Sequence, residues 1–325
     1  MILLTGSSGY LGSRIAHALV DRGAPFRVLV RNPAKLGLVP AEAHCEIVTG
    51  DLLDREAVAG ALRGVKQVIH SAALVKMWVR DRQDFWRVNV DGLKVLLEEA
   101  DRARVERVVY TSSFLAAGAS SDVNASEGLQ NYGPYSNEYE ETKAQALDWL
   151  RDTGFARFPV VALLPGVIYG PGPPTDGNLV GGMVRQYLNG RFPGLLGSGE
   201  QRWSFSYIAE VVQAHLAALE KGKPGEEYFL AGDNRSLNDM FSVIGHLKGV
   251  KFPVRHLSFL TGKAFGTLEV LRARLFNHRP KLTPGVVEIF RKDWVYSSRK
   301  ACRELGYRVV PLEEGLQKTL EAGIG

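Results

Sequence analysis

The chain has 325 residues, of which 45% are hydrophobic and 23% are charged, and its net charge is only +5. This composition is typical of a globular protein with one large domain or two modest ones. No block of Lys and Arg resembles a nucleic-acid footprint, and no uninterrupted apolar run is long enough to cross a bilayer. We therefore expect no nucleic-acid or membrane partner and, because no signal peptide precedes the first apolar segment, a cytoplasmic location.

The two cysteines, Cys45 and Cys302, lie far apart in the sequence. Their spacing is neither that of metal ligands nor that of a Cys-x-x-Cys redox motif. We expect both to be buried, reduced thiols with a structural role, and we expect no metal site.

The first half of the chain alternates short apolar runs with segments of helical periodicity. The predicted strands are Ile2–Thr5, Phe26–Val30, Glu46–Val48, Val65–Ser71, Val105–Ser112 and Val160–Leu164. The predicted helices are Tyr10–Arg22, Asp54–Arg63, Asp84–Ala103 and Asn137–Thr153. This alternation predicts an α/β fold, a Rossmann doubly wound parallel sheet with helices on both faces.

After Gly170 the pattern changes, beginning with the breaker cluster Pro171-Gly172-Pro173-Pro174. Ile208–Leu219 is predicted as a helix and Glu227–Ala231 as a strand that returns to the sheet. The segment from Leu257 to Phe276 is interrupted by charges, which indicates an amphipathic helix of a soluble protein. We expect a dinucleotide-binding domain over 1–169, rejoined by about 203–232. A smaller, mostly helical substrate-binding lobe then spans 170–325, built from about 170–202 and 233–325.

A glycine motif, Thr5 to Gly12, follows the first predicted strand and opens the first predicted helix. In that context Gly6 allows a tight turn, Gly9 lets the backbone approach a pyrophosphate, and Gly12 permits close packing of the helix on the sheet. The backbone of Ser8, Tyr10 and Leu11 completes the predicted cradle. The alternative is a glycine-rich turn that binds nothing.

The end of the second strand distinguishes NADP from NAD. An NAD-binding enzyme usually has Asp or Glu there, whereas this chain continues with Arg31 and has no acid through Lys35. Arg31 is suited to a 2′-phosphate, assisted by Lys35 or Ser7, so NADP(H) is favoured and NAD(H) is the alternative cofactor. A solvated surface role for Arg31 remains open.

Ligands of parallel sheets bind at the carboxyl ends of the strands. Asp51 follows the third strand, where it can accept a hydrogen bond from adenine or serve only as a loop aspartate. Further positions at strand ends are predicted to contact the cofactor: Leu52, Ala72, Ala73, Pro165 and Val167.

Tyr139 and Lys143 lie four residues apart on a predicted helix and therefore share one face. A nearby ammonium and a bound, positive nicotinamide ring lower the pKa of a phenol toward the working range of an acid–base catalyst, and Lys143 can also reach the cofactor ribose. Ser113, which follows the fifth strand, can stabilise charge on a substrate oxygen. The same spacing recurs at Tyr296 and Lys300, which no Rossmann strand precedes, and there we expect a structural role.

In their order, these motifs resemble those of the extended short-chain dehydrogenase/reductases, over roughly residues 1–215. The matching segments are Thr5–Gly12, Asp51-Leu52, Ser71-Ala72-Ala73, Asn89-Val90-Asp91-Gly92, Thr111-Ser112-Ser113, Tyr139 with Lys143, and Pro165 with Tyr169-Gly170-Pro171. The chain is most similar to the dihydroflavonol 4-reductase-like branch, related to 3β-hydroxysteroid dehydrogenases. The resemblance implies a catalytic triad of Ser113, Tyr139 and Lys143, with Lys143 also binding the cofactor. It also implies Arg31 as the NADP-selecting residue, Asn89 as structural or relay support, and a homodimer.

The departures from the family concern the substrate. Sugar-nucleotide epimerases and dehydratases usually have Arg-x-x-Asn before Tyr-Gly-Pro, where this chain has Leu164 and Val167. The leading hypothesis is therefore an NADP(H)-dependent reductase of a ketone, or the reverse alcohol dehydrogenase. The alternatives are a sugar-nucleotide epimerase or dehydratase, and a non-catalytic NADP(H)-binding redox sensor. An apolar pocket for a planar aromatic or alicyclic ketone is expected from Met77, Trp78, Phe85, Phe205 and Tyr207, for which core packing is the alternative.

Overall fold

A seven-stranded parallel sheet forms the centre of the computed structural model, which describes residues 1–36, 44–250, 254–276 and 278–324. Its strands, in chain order, are β1 Ile2–Thr5, β2 Phe26–Val30, β3 Cys45–Thr49, β4 Gln67–His70, β5 Arg107–Thr111, β6 Val160–Pro165 and, from much later in the chain, β10 Glu227–Leu230. In space they are ordered β3-β2-β1-β4-β5-β6-β10. The predicted doubly wound parallel sheet is confirmed, and so is the return of the late strand to its edge, beside β6.

The strands are apolar because both faces of the sheet are covered. Alternate residues point to opposite sides, so that Leu3 and Val68 belong to one core cluster while Leu4 and Ile69 belong to another. The helices of the chain are α1 Tyr10–Asp21, α2 Arg55–Ala61, α3 Gln83–Trp86, α4 Gly92–Arg102, α5 Glu138–Trp149, α6 Phe155–Arg157, α7 Leu179–Leu188, α8 Ile208–Lys221, α9 Leu237–Lys248, α10 Phe259–Phe276, α11 Pro284–Phe290, α12 Arg299–Leu305 and α13 Leu312–Ala322. Helices α2, α4 and α5 bury apolar side chains in the first cluster, whereas α1, α8 and α12 bury theirs in the second.

The strand order reverses direction between β1 and β4. Strands numbered before β4 extend to one side of β1, and strands numbered after it extend to the other. The loops that follow β1 and β4 therefore diverge and leave a crevice at the carboxyl ends of the strands, which is where such sheets bind ligands.

Two predicted helices, Asp84–Ala103 and Asn137–Thr153, are each divided in the structure by a π-helical turn. The segment Arg87–Asp91 joins α3 to α4, and Leu150–Gly154 joins α5 to α6. Helix α5 begins where the sequence predicted, since the Asn137 side chain accepts a hydrogen bond from the Glu140 amide, 2.8 Å away.

The region after Gly170 is less purely helical than predicted. A three-stranded sheet is formed by β7 Val167–Tyr169, β9 Arg202–Tyr207 and β11 Asp233–Ser236. A second small sheet pairs β8 Leu195–Leu196 with β12 His256–Leu257. The sequence did not indicate them because four of these five strands have only two to four residues, and Asp233–Ser236 is polar throughout.

The expected burial of both cysteines is wrong. Both are unpaired, Cys302 is exposed and Cys45 is partly exposed. Within the described ranges, no helix combines the length and the hydropathy needed to cross a membrane.

Candidate functional site

The turn between β1 and α1 is built around glycines that no other residue can replace. Gly6 has a φ of +80°, and a Cβ added there would lie 2.5 Å from the Ala72 backbone nitrogen. A Cβ on Gly12 would lie 2.1 Å from the Gly6 carbonyl oxygen. The first glycine is thus needed for the turn and for the approach of the β4 loop, and the third for the packing of α1 against the turn.

The N-terminus of α1 has free amide groups that could bind an anion. Its N-cap, Gly9, has no side chain that could accept from the first-turn amides, and this turn contains no acid. The amides of Tyr10, Leu11 and Gly12 have no acceptor within the helix, and they carry the positive end of its dipole. In the same turn Ser7 is buried, and its hydroxyl has no partner among the described residues. These features, with the exposed Ser8 beside them, fit the diphosphate of a dinucleotide.

Arg31 immediately follows β2, the neighbour of β1, and its side chain is exposed. Lys35, at the end of the turn Pro33–Lys35, is exposed as well. This end of β2 therefore presents two cations beside the glycine turn, an arrangement that fits a phosphate on the adenosine ribose. Residues 37–43, which follow this turn in the chain, lie outside the described residues.

Asp51 follows β3 and closes a turn of its own loop, in which one of its carboxyl oxygens accepts from the Leu53 amide at 2.9 Å. This oxygen has the role of a loop aspartate, which was one of the two roles considered for Asp51. The second carboxyl oxygen accepts no hydrogen bond from the described residues and is available to a ligand such as adenine. The helix cap proper is Asp54, which accepts from the amides of Glu56 and Ala57. Leu52 lies between these two aspartates and faces α4. A Cβ added to Gly92 of α4 would lie 3.4 Å from the Leu52 Cβ.

Ala72 and Ala73 follow β4 and line the crevice beside the glycine turn. The Ala72 amide is 3.4 Å from the Thr5 hydroxyl. Their loop is fixed by buried Asn89, whose side chain accepts from the Leu74 amide at 2.7 Å and donates to the Thr142 hydroxyl at 3.1 Å. Asn89 thus connects the crevice loop to α5, in agreement with the structural support predicted for it.

Pro165 and Val167 stand on either side of Gly166, between β6 and β7. Pro165 ends β6 and is buried, whereas Val167 is partly exposed and pairs with Phe205 of β9. The Gly166 amide donates to the Leu230 carbonyl oxygen at 3.2 Å, which holds the segment against β10.

The loop after β7 is tied to the glycine turn by two contacts that the sequence did not indicate. The Tyr10 hydroxyl and the Arg14 guanidinium both donate to the Pro171 carbonyl oxygen, at 3.3 and 2.9 Å. Burial raises the pKa of Tyr10 well above its ordinary value, so its hydroxyl remains a donor. Such contacts join residues about 160 positions apart and depend on the fold.

Ser113, Tyr139 and Lys143 come together at the carboxyl end of β5. Ser113 follows β5, and its hydroxyl lies near enough to the partly exposed Tyr139, at the start of α5, to act on the pKa of that phenol. One turn further along α5, Lys143 is buried, and its ammonium donates to the Thr111 carbonyl oxygen at 2.8 Å and to the Tyr110 hydroxyl at 3.3 Å.

Burial dominates the electrostatics of this cluster. It raises the pKa of Tyr139 to about 12, and the Ser113 hydroxyl offsets only part of that rise. Burial also lowers the pKa of Lys143 to about 7. In the chain alone, desolvation disfavours both the phenolate and the ammonium, so Lys143 by itself does not lower the Tyr139 pKa; the lowering expected from Lys143 together with a bound nicotinamide stays a prediction. Near neutrality Tyr139 carries its proton and Lys143 is partly neutral.

Tyr110 and His70 form a buried layer beneath Lys143 that sequence reasoning missed. The two rings stack at 5.8 Å, and the Lys143 ammonium lies 4.8 Å from the Tyr110 ring centroid. The pKa of His70 is lowered to about 3, first by burial and then by the charge of Lys143, so the imidazole is neutral. Its Nδ1 lies 2.7 Å from the Thr5 hydroxyl. Both aromatic residues sit in apolar strands, where core packing is the ordinary expectation.

A cavity of about 510 Å³ opens beside the N-terminus of α5. Three of the five predicted pocket residues, Met77, Trp78 and Phe85, line it. The other two do not, because Phe205 is fully buried in β9 and the ring of Tyr207 packs edge-on against Tyr169. Charged side chains also line this cavity: Arg80, Arg82, Glu138, Glu141 and Arg274. Its mixed lining departs from the apolar pocket that the sequence predicted.

The second tyrosine–lysine pair is structural, as expected. Tyr296 is buried, and its hydroxyl donates to the Gly118 carbonyl oxygen at 2.5 Å. Lys300 lies on α12 and pairs with Glu226 next to β10. Tyr296 lies before that helix, so the two side chains do not share a helical face.

Comparison with known proteins identifies the family. The model of the NAD dependent epimerase/dehydratase family matches residues 2–231. The chain is 30% identical to a 4-hydroxy-2-methyl-3-oxo-4-farnesyl-3,4-dihydroquinoline-1-oxide ketoreductase of Stigmatella aurantiaca, with 98% of this chain and 96% of that protein aligned. It is 29% identical to a 3 beta-hydroxysteroid dehydrogenase/Delta 5-->4-isomerase of Mycobacterium tuberculosis, with 94% and 85% aligned.

Among solved structures, gox2253 is 30% identical and superposes with a TM-score of 0.78, covering 99% of this chain and 97% of its own. These relationships confirm the resemblance to the extended short-chain dehydrogenase/reductases and to their 3β-hydroxysteroid dehydrogenase-related branch. The matched segment includes the glycine turn, the crevice loops and the cluster around Tyr139. The chain therefore belongs to the NAD dependent epimerase/dehydratase family, as an extended short-chain dehydrogenase/reductase with the NAD(P)-dependent oxidoreductase character of its relatives.

Proposed function

We propose that this protein is an NADP(H)-dependent reductase that converts a ketone to an alcohol. The observation that carries the proposal is the cluster of Ser113, Tyr139 and Lys143 at the carboxyl end of β5, next to the crevice of the sheet. A reduced nicotinamide cofactor supplies a hydride for the carbonyl carbon when it is bound. The side chains of the chain then have to polarise the carbonyl oxygen and give it a proton.

Tyr139 is the proton donor in this proposal. A phenol whose pKa is about 12 carries its proton at neutral pH and therefore has a proton to give to a developing alkoxide. Ser113, whose hydroxyl lies near Tyr139, donates to the same oxygen and stabilises its negative charge.

Lys143 orients the cofactor ribose and returns a proton to the site. With its pKa lowered to about 7, it can both give and take a proton near neutrality, which a surface lysine cannot. Its bond to the Thr111 carbonyl oxygen fixes the ammonium beside β5 and one helical turn from Tyr139.

Arg31 supports NADP(H) over NAD(H). It is exposed directly after β2, and the loop through Lys35 contains no acid that could bind the ribose hydroxyls. The guanidinium can bind a 2′-phosphate through two hydrogen bonds.

The cavity beside α5 is lined by Glu138, the neighbour of Tyr139 in the chain, although not by Tyr139 itself, and its lining supports a substrate with an apolar body and a polar substituent. Met77, Trp78 and Phe85 supply the apolar surface, and the Arg82–Glu138 ion pair lies at its side. The Stigmatella ketoreductase relative acts on a ketone of mixed polarity, which is consistent with such a lining.

A sugar-nucleotide epimerase or dehydratase is the second candidate, favoured by the family to which the chain belongs. Leu164 and Val167 weigh against it, because they occupy the places of the Arg and Asn that such enzymes usually have there.

The proposal is tested by titrating the purified protein with NADPH and with NADH while nicotinamide fluorescence is recorded. We expect tighter binding of NADPH, and loss of that preference in Arg31→Asp. Arg22→Asp is the matched control, because Arg22 is an exposed arginine at the far end of α1. Preference for NADH in the unaltered chain would contradict the cofactor assignment. Absence of binding for either nucleotide would remove the enzymatic proposal altogether.

A further inference from the structure

Helix α10 points its large apolar side chains away from the protein. Six of them are between 46% and 80% exposed: Leu260, Phe265, Leu268, Leu271, Leu275 and Phe276. The residues that α10 buries are small or polar instead, namely Gly262, Gly266, Glu269 and Ala273. This is the reverse of an ordinary surface helix, which buries its apolar stripe.

Close packing fixes the helix in this orientation. A Cβ on Gly262 would lie 2.5 Å from the Leu196 side chain, and a Cβ on Gly266 would lie 2.9 Å from the Thr283 backbone. Glu269 accepts a hydrogen bond from the Lys281 amide at 3.1 Å. A leucine at any of these positions would push the helix away from the protein. The small residues therefore have to face the protein, and the leucines on the opposite side of the helix are exposed.

The exposed leucines form one continuous stripe. Leu260, Ala264, Leu268, Leu271 and Leu275 follow one another at three- and four-residue intervals, and the exposed Phe265 and Phe276 lie beyond Arg272, which borders the leucines on that side. We call these leucines and Ala264 the α10 stripe. At 100° per residue its centre lies opposite the buried glycines, with Arg272 on one side and Lys263 and Arg274 on the other. A contiguous apolar surface with a charged border marks an interaction site.

The charge around the stripe indicates what it contacts. Residues 254–281 contain six arginines and lysines and a single acid, Glu269. Glu269 is buried and paired with Arg272, while Lys263 pairs with Glu288 and Arg279 with Asp176. The surface therefore keeps a basic excess. A second copy of the chain would bring the same basic surface against it across a two-fold axis, whereas an anionic surface would be attracted.

One edge of the stripe adjoins the face of α10 that lines the cavity described above. Val270 and Arg274 of α10 line that cavity, and Leu271 and Leu275 come directly after them in the sequence and face outward. A partner that binds to the stripe would therefore lie next to the cavity, on the side lined by Val270 and Arg274.

We propose that the α10 stripe docks on the surface of an anionic lipid bilayer, with the helix lying in the plane of that surface. Apolar side chains flanked by Lys and Arg are the pattern of interfacial helices, which enter the headgroup boundary without crossing the bilayer. The expectation of no membrane partner came from the absence of a spanning run, a criterion that does not apply to a helix lying flat. This inference is independent of the proposed reaction.

The test is sedimentation of the full chain with vesicles of phosphatidylglycerol and phosphatidylcholine, compared with vesicles of phosphatidylcholine alone. We expect binding to the anionic vesicles at low salt that weakens as salt is added. Leu271→Gln/Leu275→Gln should lower the partition coefficient at least about tenfold. Arg255→Gln/Lys281→Gln should lower it by about fivefold for each charge removed.

Val123→Gln/Val309→Gln is the matched control, because both valines are exposed and lie outside α10. It should bind vesicles like the unaltered chain, and unchanged thermal unfolding of every variant shows that the fold is intact. The proposal is overturned if the unaltered chain does not sediment with anionic vesicles, or if the leucine variant binds them equally. A dimer that dissociates on Leu271→Gln/Leu275→Gln, without vesicle binding, would assign the stripe to a second copy instead.

Discussion

The ammonium of Lys143 lies 2.8 Å from the carbonyl oxygen of Thr111, the last residue of β5. This bond attaches the middle of α5 to the strand that precedes Ser113. Tyr139 lies one helical turn before Lys143, so the same bond also fixes the position of the Tyr139 phenol relative to the end of β5. The relative positions of the three proposed catalytic groups thus depend on a buried lysine and a backbone carbonyl.

Tyr139→Phe removes the proposed proton donor and leaves the ring in place. We expect turnover of a ketone with NADPH to fall by about a hundredfold to ten-thousandfold, the usual contribution of a general acid. NADPH affinity should change little, because the hydroxyl is proposed to act on the substrate. Tyr228→Phe is the matched control, since Tyr228 lies on β10, its hydroxyl donates to the Glu304 carboxylate at 3.1 Å, and it does not line the cavity. Retained turnover in Tyr139→Phe would contradict the assignment.

Burial of Lys143 predicts a pH-dependent stability. Its pKa is about 7 in the folded chain, against an ordinary value of 10.5. Between these values the unfolded chain holds a proton that the folded chain has released, so the free energy of unfolding rises with pH across this window. From pH 7 to 10, the free energy of unfolding of the unaltered chain should rise relative to that of Lys143→Met by at most about 1.4 kcal/mol per pH unit. As the pH falls through the same range, this relative stabilisation is lost. Urea unfolding of both proteins measures it, and parallel profiles would show that Lys143 is not desolvated.

Asn89 is expected to stabilise the crevice loop. Asn89→Ala leaves the Leu74 amide without its side-chain acceptor and the Thr142 hydroxyl without its side-chain donor, and should lower the free energy of unfolding by about 1–3 kcal/mol. Cofactor affinity should fall as well, because Ala72 and Ala73 belong to the same loop. Asn124→Ala is the control, since Asn124 is exposed and no side-chain bond of it is seen in the described chain. Equal stability of the two variants would show that the Asn89 contacts contribute nothing.

A buried ion pair fixes the far end of α5 to the edge of the sheet. Arg151, in the π-helical turn, donates to both carboxyl oxygens of Glu227 on β10, at 2.6 and 2.7 Å. Arg151→Met leaves the carboxylate buried without this partner and should cost about 3–5 kcal/mol. The double variant Arg151→Met/Glu227→Leu should recover most of that loss, as measured by chemical unfolding.

Lys66→Met provides the comparison, because the Lys66–Glu106 pair is exposed and its removal should leave stability close to that of the unaltered chain. A double variant no more stable than Arg151→Met would contradict the view that the unpaired charge is the source of the cost.

The sheet and the glycine turn could be predicted from the sequence because each is determined locally. Val28, Leu29 and Val30 form part of an apolar run, and Gly6 and Gly12 sit where a turn and a close approach require them. The order of such signals along the chain then indicates the fold, since parallel strands joined by helices have few arrangements.

The electrostatics of the site and the lobe strands could not be predicted in the same way. The pKa values of Tyr139 and Lys143 follow from their burial, which depends on side chains distant in sequence. Strands such as Leu195–Leu196 are too short for a periodic signal. Helix α10 was predicted as a helix, but which of its faces is buried depends on where Leu196 and Thr283 lie.

The central claim is net hydride transfer to a ketone, and deuterium transfer tests it most directly. The protein is incubated with NADPH deuterated at C4, in separate reactions for each face of the ring, and a panel of alicyclic and aromatic ketones that carry a polar substituent. Mass spectrometry of the products should find an alcohol with deuterium from one face only, and at least about a hundredfold less of it with Tyr139→Phe. Conversion of a sugar nucleotide with a retained cofactor, without NADPH consumption or deuterated alcohol, would contradict the account.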